Sequence, residues 1–285
     1  MSIAAAESQP KRSRTSFMLM FFLFVGVGGA AVWANLWKED LRVLDVQVKG
    51  NGIVSAKEIV SLAGVAKGEK LFGVDLFAAQ ERIMKNQFLR SASVNREAPG
   101  RVSITVEERV PIASAVMDRI LYLDAEGYVL PPAVSEHIFD LPVVTGTLSS
   151  AEFRPGEQIS SESAKEGIAI LAIALNLDDE LYRRISEVRV EEGKDIIAYT
   201  AEAGVPVIFG RGDTGMKLVK FDAFWKQFVA THGAHELEYI DLRFADQVVV
   251  RWNHDKEETR ATRNAPRVDV KRKGSALILP AAVIR

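Results

Sequence analysis

From Phe17 to Trp37 the chain reads FMLMFFLFVGVGGAAVWANLW, 21 residues without a charge. At ~1.5 Å rise per residue, a helix of this length reaches across a hydrocarbon layer of roughly 30 Å. A core helix of a water-soluble domain would carry a polar face, and none interrupts this run. Lys11, Arg12 and Arg14 stand before it, and Trp33 and Trp37 mark its far end. Positive charge on one side and an aromatic belt on the other predict a cytoplasmic tail over 1–16, a transmembrane helix over 17–37 and export of everything after it. The rival reading is a signal peptide cut after Ala34. Against it, the apolar run exceeds the ~7–15 residues of such a segment, and the bulky Trp33 sits just before the cut.

The remainder suits ordinary globular cores: 285 residues in all, 48% hydrophobic and 26% charged. A net charge of −2 supplies no global basic field for nucleic acid. The absence of cysteine removes disulfides, thiol nucleophiles and zinc–thiolate sites together.

Residues 38–109 read as one small α+β domain in the order β-α-α-β-β. LRVLDVQVKG alternates and stops at Gly50-Asn51-Gly52. Ser55 and Glu58 form a capping box before a short amphipathic helix that Gly64 closes. Leu76, Phe77, Ile83, Met84 and Phe88 are expected to share one face of a second helix, and SASVNREA and RVSITVEERV are two strands split by Pro99-Gly100. Arg109-Val110-Pro111 then interrupts strand-like sequence, because Pro has no ladder donor.

Residues 110–252 form a larger, mainly antiparallel β domain with about two helices, on the reasoning that its connections are short. Ser163 and Glu166 make a second capping box ahead of GIAILAIALNL. Leu218, Phe221, Trp225 and Phe228 recur at 3, 4 and 3 spacing on another helix, with Asp213 or Thr214 as its cap. Residues 253–285 are charged and poor in aromatics, and read as a flexible C-terminal tail; alternatively its end, SALILPAAVIR, adds a strand.

Catalytic chemistry has no visible team. His232 and His235 are spaced H-x-x-H without companion donors, so a solvated helix end is the simpler reading than a metal site. Gly210-Arg211-Gly212-Asp213 lacks the rest of a phosphate loop and reads as a turn before a helix. Glu107-Glu108 and Glu191-Glu192 are strand neighbours facing opposite ways, which cannot present two carboxylates to one substrate. No catalytic residue, cofactor or metal is expected.

KLFGVDL (70–76), VNREAPGRVSITVEERVPIA (94–113), LYLDAEGYVLP (121–131), LPVVTG (141–146), FGRGD (209–213) and YIDLRF (239–244) resemble, in order and spacing, the FtsQ/DivIB family of bacterial cell-division proteins. The resemblance implies a tail, one span, a POTRA domain and a β domain. It also implies a non-enzymatic divisome scaffold linking early and late septal proteins, single-pass and type II in the inner membrane, with its bulk periplasmic at the division septum. Its implied partners are FtsB-like and FtsL-like proteins at the β domain and other divisome proteins at the POTRA domain, with no nucleic acid and no small-molecule substrate. Family aromatics central to FtsB contact match Phe244 and Trp252; Phe stands at 244 where Tyr is common, and Asp246 and Arg251 where some members carry small residues. The runner-up is a POTRA-bearing transport or assembly component acting as a chaperone for exported polypeptides, but neither tandem POTRA units nor a run of outer-membrane strands occurs.

The last strand carries the sharpest expectation. Ile240, Leu242 and Phe244 should face a core while Tyr239, Asp241 and Arg243 face water. After Ala245-Asp246, Gln247–Trp252 should lie at the sheet edge, with Val248, Val250 and Trp252 on one face and Val249 on the other. So apolar an edge is an aggregation hazard unless covered. The expected binding set is therefore Phe244, Asp246, Val248, Val249, Val250, Arg251 and Trp252, with an FtsB-like segment adding a strand.

Overall fold

The computed structural model describes residues 14–132, 139–151, 153–252 and 277–280. They divide into two compact units, the first ending at Glu108 and the second beginning at Arg109.

The first unit opens with helix α1 (Arg14–Asp40), 27 residues long, whose Phe17, Leu19, Phe21 and Phe24 are exposed. Among the described residues no helix is long and apolar enough to cross a membrane. Side chains in α1 are described without a break only over 17–30, so the charge-free run extends beyond them.

Then come β1 (Asp45–Lys49), α2 (Ala56–Ala63), α3 (Leu76–Ile83), β2 (Leu89–Glu97) and β3 (Arg101–Glu108). The sheet order is β1-β3-β2, with β1 parallel to β3 and β2 antiparallel to it. The parallel pair needs a crossover, and the two helices lie in it. Ser55 caps α2 by accepting from the Glu58 N–H at 3.2 Å, and Gly64, at φ 64°, closes it with its N–H on the Val60 and Ser61 carbonyls. Ile59, Ala63, Leu71, Ala79, Ile83, Val102 and Ile104 are fully buried. The expected face of α3 is corrected: Phe77 and Met84 are exposed, and Phe88 is buried but lies beyond the helix. Leu76, Ala79 and Ile83, at 3 and 4 spacing, are the inward stripe, which the larger side chains obscure. Glu108 also has a structural task, accepting from the Ile53 and Val54 N–H groups at 2.6 and 2.9 Å.

The second unit holds β4 (Pro111–Val116), β5 (Ile120–Asp124), β6 (Val129–Leu130), β7 (Val143–Gly146), α4 (Glu162–Leu177), α5 (Asp179–Arg183), β8 (Ile185–Val190), β9 (Ile196–Thr200), β10 (Pro206–Gly210), α6 (Thr214–Phe224), β11 (Leu237–Asp241), β12 (Gln247–Trp252) and β13 (Leu277–Pro280). All ten strands form one sheet in the order β13-β12-β11-β10-β9-β8-β7-β4-β5-β6. The sheet is mixed: β4–β7, β7–β8 and β10–β11 are parallel. The other six pairings are antiparallel, so the sheet is mainly antiparallel as expected, but the expectation took every connection to be short. In fact α4 and α5 carry the chain from β7 to β8 and α6 carries it from β10 to β11, and a crossover returns a strand parallel to its predecessor.

The core is continuous beneath α4 and α6. Phe209, Phe221 and Phe224 are fully buried, and Phe221 meets Trp225 edge to face at 5.6 Å. The expected α6 stripe therefore packs, and a π-helical stretch over Trp225–Val229 lets the buried Phe224 join it. Two caps differ from the sequence reading. Ser161, not Ser163, caps α4 through the Ala164 N–H at 3.2 Å, and Asp213 adopts φ 50° without a side-chain cap bond. Gly146 shows why the chain tolerates no side chain there. Its φ is 114°, and a Cβ would lie 1.9 Å from the Val190 carbonyl oxygen.

Candidate partner-binding site

The β11–β12 reversal is held from below. Lys220 of α6 is almost completely buried, and its Nζ donates to the Phe244 and Ala245 carbonyls at 2.9 and 2.7 Å. A buried ammonium with such partners fixes the turn, because losing one strands either a charge or two carbonyls. Phe244 is left 44% exposed at this pinned corner. Its inward expectation is corrected: β11 ends at Asp241, alternation fails in the turn, and only Ile240 and Leu242 enter the core.

Asp241 is corrected in the opposite direction, since it is buried. Its carboxylate accepts from the Arg243 backbone N–H at 3.0 Å, Nε at 3.0 Å and a terminal guanidinium nitrogen at 2.6 Å. Burial pushes its pKa up, but these bonds outweigh that and hold it below the ordinary range. Arg243 is raised, first by the hydrogen bond to Asp241, and it also reaches Asp195 at 2.8 Å.

In β12 the expected faces appear. Val248 and Val250 are fully buried, so they can offer a partner backbone but no side chain. Val249 is half-buried on the other face; Arg251 is exposed and pairs with Glu238 at 3.2 Å; Asp246 is exposed in the turn. Trp252 is half-buried, rests on the hydrophobic core, and has the His232 ring 5.8 Å from its own. His232 in turn engages the Phe228 carbonyl at 2.9 Å through Nδ1. The structure thus groups Phe244, Asp246 and β12 at one end of the sheet. Lys220 holds the turn and escaped the sequence reading, a lysine one turn from a buried stripe being the available signal; His232, read as a solvated helix end, is exposed and meets Trp252 at the other end of β12.

The edge itself is the main correction. β12 is not the outermost strand: β13 pairs with it antiparallel, with Gln247 opposite Pro280, Val248 opposite Leu279, Val249 opposite Ile278 and Val250 opposite Leu277. The end of the expected flexible tail therefore contributes a strand, LILP, while 253–276 and 281–285 lie outside the described residues. Four consecutive residues ending in Pro carry no alternation by which to tell strand from tail.

Other polar clusters are absorbed by the fold. Arg211 ties its loop to α4 by donating to Glu166 at 2.9 Å and Ser163 at 3.1 Å, while the Gly212 N–H reaches Glu166 at 2.7 Å. Lys217 donates to the Arg211 and Gly212 carbonyls at 2.8 and 2.7 Å, and burial lowers its pKa. Among the described residues no cluster of His, Asp and Glu could hold a metal ion.

A small β-α-α-β-β unit followed by a larger mixed sheet with helices defines a protein of the POTRA-bearing class. Family comparison gives the same division of the sequence: residues 41–109 match the POTRA domain, FtsQ-type, and residues 110–250 match FtsQ/DivIB, C-terminal related. The chain belongs to the FtsQ/DivIB family of cell division proteins. It is 35% identical over 251 residues to cell division protein FtsQ of Rhodothermus marinus, covering 85% of this chain and 89% of the relative. It is 32% identical over 245 residues to that of Geobacter sp. (strain M21), covering 82% and 88%.

Proposed function

We propose that this protein is a non-enzymatic divisome scaffold, anchored by the apolar part of α1 and exposing its two units on the periplasmic side at the septum. Residues 1–16 are its cytoplasmic tail, 38–109 its recruitment domain, and 110–252 the domain that binds an FtsB-like protein with an FtsL-like companion. The charge pattern around Phe17–Trp37 supports the anchor. One observation carries the binding mode: β12 accepts an antiparallel strand from a segment that is not its chain neighbour. A strand whose outer side pairs in this way can pair with a partner's segment, with Phe244 and Trp252 as side-chain anchors.

The test replaces Trp252 by Ala and, separately, Val249 by Pro, and measures partner binding beside circular dichroism of each variant. Loss of an aromatic anchor should weaken binding by ~2 kcal/mol or more, about thirtyfold, with the fold preserved. Unchanged binding in both folded variants would remove β12 from the interface.

A further inference from the structure

We infer that β13 is a built-in placeholder, competing with the partner's strand for the outer side of β12. The inference rests on the binding mode proposed above.

Three features of β13 suit a strand that covers the edge without closing it for good. First, its register with β12 spans only four positions. Second, it ends at Pro280, opposite Gln247, and Pro cannot donate to a ladder, so pairing stops there. Third, 24 residues, 253–276, separate it from Trp252. Closing such a connection costs chain entropy that a two-residue hairpin avoids, although the cost grows only logarithmically with length. The result is an intramolecular strand of modest effective concentration, which a partner bringing aromatic anchorage can displace. While seated, it satisfies the backbone groups of β12 that would otherwise invite pairing between copies of the chain.

Population arithmetic makes the competition measurable. If β13 is seated in about nine-tenths of molecules, the apparent affinity for the partner's strand falls about tenfold, and removing β13 restores it. A chain ending at Gly274 should therefore bind the purified FtsB-type protein of the same organism about tenfold more tightly than the full chain does.

The chain has no cysteine, which allows a second arm. Val249→Cys with Ile278→Cys places two thiols at positions opposite in register, where antiparallel Cα atoms lie ~4.5–5.5 Å apart and within disulfide reach. Mild oxidation of the full-length double variant in detergent should join them within one molecule. The oxidised form should bind the FtsB-type protein at least tenfold more weakly than the reduced form. Failure of the pair to join in folded protein would overturn the seating of β13, and equal binding by both redox forms would overturn the competition. Trp252→Ala separates the two levels. Weakened binding there beside an ineffective lock rejects the placeholder alone, whereas unchanged binding in both rejects the β12 interface as well.

Discussion

The two ends of the ten-stranded sheet are closed in different ways. At the β6 end the cover is a loop that returns after 25 residues (131–155): Val129 donates to the Glu157 carbonyl at 2.9 Å, Gly156 donates back to Val129 at 2.7 Å, and Ile159 donates to Gly127 at 2.9 Å. Val129, Leu130 and Ile159 are fully buried there. At the other end the cover is β13, drawn from 24 residues away and finished by a proline. The first closure is part of the core, and a partner could reach it only by unfolding the unit. The second rests on a register of four positions with β12.

The strongest way to break this comparison is at the β6 cover. Ile159→Ala should lower the unfolding free energy of the second unit by about 2–5 kcal/mol, since the deleted methyls leave a void that the loop cannot fill. Denaturant unfolding followed by the buried Trp225 reads this directly. A loss under 1 kcal/mol would mean that the β6 end is as loosely covered as the β12 end.

Acid should act at the β12 end through Asp241. Its folded pKa is depressed, so its stabilisation is present above the unfolded value of ~3.9 and is lost as pH falls through the folded value. Hydrogen exchange at β11 and β12 should rise as pH drops below about 4 relative to β5 and β6, after correction for intrinsic rates, and Asp241→Asn should flatten that dependence. Equal responses at both ends would remove Asp241 as the source.

The smallest effect should follow removal of β13. A chain ending at Gly274 should lose about 1.4 kcal/mol of stability in its second unit, the equivalent of a four-position strand seated in about nine-tenths of molecules. A shift of many degrees in Tm would make β13 an integral part of the fold.

Much of this architecture was legible because periodicity and punctuation reported it. The β-α-α-β-β order, the Ser55 cap and the α6 stripe all follow from local patterns whose burial the fold then uses. What escaped depended on distant partners. The parallel steps arise because helices lengthen two connections, the Ser161 cap lies two residues from a better-looking motif, and Asp241 is buried only because Arg243 curls back to pair with it. In the last hairpin Val249 and Trp252 could be placed by alternation, while Phe244 could not, because alternation fails in the turn, nor could Lys220, whose partners are carbonyls on another element.

The long connection before β13 also bears on timing. A ribosome adding ~5–20 residues each second completes β12 roughly 1–6 s before it reaches Pro280. Small domains often fold faster than that. Because β13 is the last of the described strands to be made, it is also the last that can seat on the sheet.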